Sequence, residues 1–150
     1  MNTQRIFIRA EKSIKAPNDY FHWIRNEEQV TAEATIFSLN QNRTLWSIAG
    51  FLGSYAEETS FSLLLAVPYI NNEILERTYV LGDGQGLHCV HQYWLPPVPG
   101  FSVIGSDQAN YAELSIRLDP KAGTVTGDFN AIFKSRRVDI HGSFKLTQNE

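Results

Sequence analysis

The sequence predicts an all-β protein, one domain spanning residues 1–150, built as an antiparallel β-sandwich or barrel of about nine strands. Three observations carry this. Between Tyr111 and Thr147, apolar and polar residues alternate through three successive runs, and period-two alternation sends successive side chains to opposite faces of a strand. Turn-forming clusters recur roughly every 8–14 residues, close to the spacing of sandwiches and barrels. Aromatic residues make up 12% of the chain, and such side chains suit strands around a thick core.

Residues 4–13 read as a first strand centred on Ile6, Phe7 and Ile8. Ala16-Pro17-Asn18-Asp19 is a stop followed by a cap, because Asn and Asp side chains accept from the free N–H groups of a helix start. At most one short helix is expected, over residues 20–29, with Tyr20, Phe21 and Ile24 on its apolar side. An irregular loop is the alternative, since Glu27 and Glu28 sit at the end the helix dipole disfavours.

Residues 30–39 alternate as one strand, and Asn40-Gln41-Asn42 turns the chain. Residues 45–51 and 59–67 follow as strands, and Pro68 ends the second because it lacks a donor. Asn71-Asn72 is another turn. Residues 75–81 and 88–95 are strands on either side of Gly82-Asp83-Gly84-Gln85-Gly86, which reads as a hairpin turn because Gly and Asp accept positive φ. A phosphate loop would need a helix to follow it, and a strand follows instead. Pro96-Pro97-Val98-Pro99-Gly100 stops that strand and opens a long loop to about Ala109, the kind of segment that often carries function.

Residues 111–147 are the clearest: Leu114, Ile116 and Leu118, then Val125, Phe129, Ala131 and Phe133, then Val138, Ile140, Phe144 and Leu146 fall on one face. The turns are Asp119-Pro120-Lys121-Ala122-Gly123 and Lys134-Ser135-Arg136-Arg137. An antiparallel meander with one greasy and one wet face follows.

Net charge is −3 with a pI near 5.8, which argues against a generic nucleic-acid binder needing a basic face. The only basic cluster, 134–137, reads as a solvated hairpin tip. The single cysteine, Cys89, excludes an intramolecular disulfide. No apolar run approaches the ~20 residues of a spanning helix, and residues 1–10 carry no signal-peptide core. A cytoplasmic location is the default expectation, with export left open. No cofactor is expected.

His88-Cys89-Val90-His91 is the best candidate for a reactive site. On a strand, Cys89, His91 and Tyr93 share one face while His88 turns away. Cys89 and His91 would supply two zinc ligands of the usual three or four, with His22, His141, Asp83 or Glu57 to complete the set. The blander alternative is a buried thiol beside a satisfied histidine. Glu57 and Glu58 are adjacent loop carboxylates, and sequence neighbours rarely span a cleft as acid and base. Tyr93, Trp94, Tyr69, Tyr55 and Trp46 are either an aromatic platform or core packing. No catalytic residue is singled out, and Gly-x-Ser-x-Gly, His-Glu-x-x-His and CxxC are absent. The candidate binding residues are therefore His91, Tyr93, Cys89 and Asp83.

In Leu114, Ile116, Asp119, Gly127, Phe129, Val138, Ile140, Gly142 and Phe144 the chain resembles an uncharacterised bacterial family of small β-rich, lipoprotein-like proteins with Gly-x-Phe in the closing strands. Residues 45–50 and 78–81 extend the likeness. The resemblance implies an antiparallel sandwich or barrel and no assigned catalytic residue. The chain departs from that pattern in lacking a lipidated cysteine, so anchoring is not implied.

The expectation is a soluble, non-catalytic β-sandwich binding an unknown protein or small molecule through loops at one end, chiefly 96–109 and 82–86. The alternatives are a small acidic inhibitor or immunity partner of a bacterial toxin or enzyme, whose charge would steer it to a basic target, and a metal-assisted enzyme using Cys89 and His91. Homo-oligomer formation through edge strands is also open.

Overall fold

The fold is a sandwich of two six-stranded antiparallel sheets that do not close into a barrel. The coordinates are a computed structural model and describe residues 3–8, 18–53 and 61–148. Sheet I contains β1 (Thr3–Ile8), β4 (Ala34–Leu39), β5 (Leu45–Leu52), β6 (Phe61–Pro68), β8 (His88–Val98) and β9 (Phe101–Gln108), in the order β1-β9-β8-β6-β5-β4. Sheet II contains β2 (Tyr20–Arg25), β3 (Glu28–Thr31), β7 (Leu75–Val80), β10 (Tyr111–Asp119), β11 (Thr124–Phe133) and β12 (Val138–Thr147), in the order β3-β2-β12-β11-β10-β7.

The C-terminal meander forms as its alternation predicts. Leu114, Leu118, Val125, Phe133 and Ile140 are fully buried, and Phe129 and Phe144 nearly so. Phe144 stacks on Phe21 with centroids 5.4 Å apart, and Phe129 lies 5.5 Å from the same ring. Truncating one of these rings to Ala would cost roughly 3–5 kcal/mol. The Gly-x-Phe pattern has a steric reason: a Cβ on Gly142 would collide with the His22 carbonyl and the Trp23 backbone of β2. Only a glycine lets β2 lie against β12 there.

Four expectations are corrected. Residues 20–29 form neither helix nor loop but the arms of the β2–β3 hairpin, turned by Asn26 and Glu27 with φ of 48° and 74°. Phe21 and Trp23 are buried while Tyr20 and Ile24 are exposed, a period of two rather than 3.6. Residues 30–39 are not one strand: β3 ends at Thr31 in sheet II and β4 begins at Ala34 in sheet I. The two crossing residues each hold one sheet, Ala32 N–H donating to the Phe21 carbonyl and Glu33 N–H to the Phe51 carbonyl, both at 2.8 Å.

The glycine segment 82–86 does not close a hairpin. It carries the chain from β7 in sheet II to β8 in sheet I, with φ near +85° at Gly82, Gly84 and Gly86. Finally, the long loop over 96–109 is a hairpin. β8 runs through Pro96 and Pro97 to Val98, which pairs with Phe101 across a Pro99-Gly100 turn, Gly100 at φ 84°. Among the described residues β6 pairs with β8 between His88 and Tyr93, and the β8–β9 ladder carries a register shift between Leu95 and Val98, an irregularity that suits the two prolines. These resolved strands raise the count from about nine to twelve.

Candidate functional site

The face of β8 is as the alternation requires. Cys89, His91 and Tyr93 point into the sandwich and are 2%, 2% and 8% exposed, while His88 lies outside. Cys89 belongs to the main apolar core, and burial pushes its thiol up to about 12, so it stays protonated at neutral pH and is no nucleophile. The His91 ring packs 5.4 Å from Tyr93 and 5.5 Å from Phe133.

What the sequence did not disclose is Asp107. It sits on β9 directly across from His91 and is completely buried. Its carboxylate accepts from the Tyr93 hydroxyl at 3.2 Å and the Ser135 hydroxyl at 3.1 Å. Tyr93 reaches it by lying flat over Gly105, its cross-strand partner, where a Cβ would strike the ring. A buried carboxylate is costly unless hydrogen bonds replace its water, and here Tyr93 of sheet I and Ser135 of the turn between β11 and β12 supply them. Asp107 and Tyr93 are buried, while Ser135 reaches the carboxylate from an exposed position. Alternation of Val103, Gly105 and Asp107 was the available signal, hidden by reading 96–109 as a loop.

The remaining donors are dispersed. Asp83 is exposed in the sheet-crossing loop, where the backbone N–H groups of Val80 and Gln85 donate to its carboxylate at 2.9 and 2.8 Å and hold its carboxyl below the usual range. It fastens the loop. His141 is exposed on the outer face of β12, and Glu57, Glu58 and Tyr55 lie outside the described residues. Among the described residues no three His, Cys, Asp or Glu side chains converge as metal ligands.

On the outer face of sheet II, His22, Ser143 and Asp128 stand in one cross-strand row. The Ser143 hydroxyl and His22 Nε2 are 3.0 Å apart. Asp128 flanks the serine rather than the histidine, so it is not placed to orient the imidazole as a triad acid must. A shallow depression of about 410 Å³ lies over this row.

A better-formed cleft of about 240 Å³ opens where the β6–β7 loop, residues 69–74, passes over the edge of the core. Trp46, Leu75 and Leu118 line it from the core, Ile70 and Ile74 from the loop. The loop is braced: Tyr69 donates to Asn72 Oδ1 at 2.7 Å, Glu73 N–H donates to Asn71 Oδ1 at 2.9 Å, and the Arg43 guanidinium lies over the Tyr69 ring at 5.2 Å. Ile70 and Ile74 are 49% and 50% exposed, an unusual outlay of aliphatic surface on a loop. Glu73, Glu76 and Arg77 also line the cleft. Of the aromatic platform, Trp46 and Tyr69 come together here, 6.2 Å apart, whereas Tyr93 bonds the buried Asp107 carboxylate.

The described residues form an antiparallel sandwich of twelve strands with a buried carboxylate at Asp107 and an open cleft under the β6–β7 loop. No family model, curated protein or solved structure matches the chain. No helix among the described residues is long and apolar enough to cross a membrane.

Proposed function

We propose that the chain is a non-catalytic binding protein and that its ligand seats in the cleft under the β6–β7 loop. The observation that carries this is the pair Ile70 and Ile74, held half-exposed beside Trp46 and Leu118 on a braced loop. A concave apolar site with a few polar groups at its mouth is the common form of a small-molecule site. The cleft is smaller than the ~300–1,000 Å³ of drug-sized sites, so the ligand is small. Neither feature of an enzyme supports a rival: the Cys89 thiol is held protonated, and the Ser143–His22 pair lacks its orienting acid. Titration of indole into 15N-labelled protein tests the reading. Amide shifts confined to residues 69–77, 46 and 118–119 support it, and shifts elsewhere or none at saturation defeat it.

The proposal extends to a second copy of the chain along β4. Of the four sheet edges among the described residues, β1 contains Arg5, β3 contains Glu28, and β7 contains Glu76 and Arg77. β4, Ala-Thr-Ile-Phe-Ser-Leu, has neither charge nor proline, the protections by which edges avoid pairing. Ile36 lies on its outer face, so Ile36→Lys would return a dimer to a monomer in light scattering. A wild-type monomer at high concentration would remove this part. The acidic-inhibitor reading has less support, because Glu76 is paired with Arg117 at 3.0 Å and Glu28 with Arg25 at 3.8 Å rather than forming an acidic face.

A further inference from the structure

Arg77 breaks the pattern of its strand. In β7 the residues facing the core are Leu75, Arg77 and Tyr79, opposite Leu118, Ile116 and Leu114 of β10. Leu118 and Leu114 are fully buried, and so is Tyr79. A guanidinium on the core-facing parity must leave the core at the edge of the sheet, and it does so at the mouth of the cleft. Its carbon lies 5.7 Å from the centroid of the Tyr79 ring. Stacking of this kind orients a guanidinium without neutralising it.

The other charges at the cleft divide unequally. Glu76 is engaged from outside by Arg117 Nε at 3.0 Å. Glu73, whose backbone is fixed by Asn71, and Arg77 form no ion pair among the described residues. The cleft therefore offers one cation and one carboxylate that are in no ion pair among the described residues, beside the exposed apolar side chains of Ile70 and Ile74.

We infer that the cleft takes a free apolar α-amino acid, its carboxylate on Arg77, its ammonium on Glu73 and its side chain against Ile70 and Ile74. The inference rests on the cleft being the ligand site, as proposed above. A guanidinium matches a carboxylate with two parallel N–H···O bonds. An apolar acid alone would leave Glu73 facing another negative group, and an apolar amine would leave Arg77 unanswered. A zwitterion satisfies both, and a small apolar side chain suits a cleft of about 240 Å³.

The test is a titration of 15N-labelled protein, with calorimetry in parallel, using L-leucine, L-phenylalanine, 3-phenylpropionate and phenethylamine. At least one amino acid should shift the amides of residues 69–77, and removal of either charged group should weaken binding tenfold or more. Arg77→Gln should abolish the preference for L-phenylalanine over phenethylamine, and Glu73→Gln the preference over 3-phenylpropionate. Both side chains are exposed, so thermal midpoints near wild type are expected and are measured alongside. Equal binding of all the phenyl compounds in the cleft, or insensitivity to both substitutions, overturns the amino-acid assignment while leaving the cleft as the site. If neither these probes nor indole shift cleft amides, the site itself fails.

Discussion

Two charged side chains, Asp107 and Arg77, lie on inward-facing positions of their strands, and the structure treats them oppositely. Asp107 is completely buried, with the hydroxyl of Tyr93 in β8 and that of Ser135 in the turn between β11 and β12 donating to it. Arg77 reaches the solvent edge, over the Tyr79 ring and in no ion pair among the described residues. A buried charge persists when hydrogen bonds replace its hydration; a charge without them has to keep its water or find a ligand. The first arrangement is buried and joined to the turn between β11 and β12. The second is open and has room for something to arrive.

The sharpest way to break this comparison is Asp107→Ala. It removes the buried acceptor of the Tyr93 hydroxyl and leaves a void, and should cost about 3 kcal/mol in urea unfolding. A loss under 1 kcal/mol would mean that the cluster is not structural. Tyr93→Phe removes a single bond to the carboxylate and should cost about 1.5 kcal/mol in the same assay.

Cys89, on the same face of β8, makes the closed region sensitive to alkali. Its folded pKa, about 12, stands above the 9.0 of an exposed thiol. The raised value means that the unfolded chain releases this proton first. The contribution is whole below pH 9 and disappears as pH rises toward 12. Between pH 9 and 10 the wild type should lose about 1 kcal/mol more stability than Cys89→Ala. Parallel pH–stability curves for the two proteins would show that the thiol is not buried.

Smallest in stability is the cleft. Ile70→Ser and Ile74→Ser should each shift unfolding by no more than about 0.5 kcal/mol, because half-exposed loop side chains contribute little to folding. The same substitutions should abolish the indole-induced amide shifts. A stability loss comparable to Tyr93→Phe would place these residues with the core and remove the contrast between the two regions.

The meander β10–β12 was legible because each strand there has one buried and one wet face, so pattern and burial agree residue by residue, as Leu114, Phe129 and Phe144 show. The hairpin at Pro99-Gly100 was legible in principle, since Pro followed by Gly at positive φ suits a tight turn, but neighbouring prolines masked it. Residues 20–31 misled because Asn18 and Asp19 resemble a helix cap. Instead the Asp19 carboxylate accepts from the Thr147 N–H and hydroxyl, both at 2.9 Å. The role of Asp19 depends on a residue 128 positions away, which no local window contains.

Alternation alone determined that this chain makes strands, that the last three form a meander, and which way Cys89, His91 and Tyr93 face. Side-chain direction along a strand is a local property with a period of two, so it can be read from neighbours in sequence. Only the tertiary structure decided which sheet each strand joins, that Thr31 and Ala34 belong to different layers, and that Asp107 is sealed while Arg77 opens on a cleft. Those outcomes depend on what packs across the sandwich and where a sheet ends, and period-two alternation is the same in either sheet.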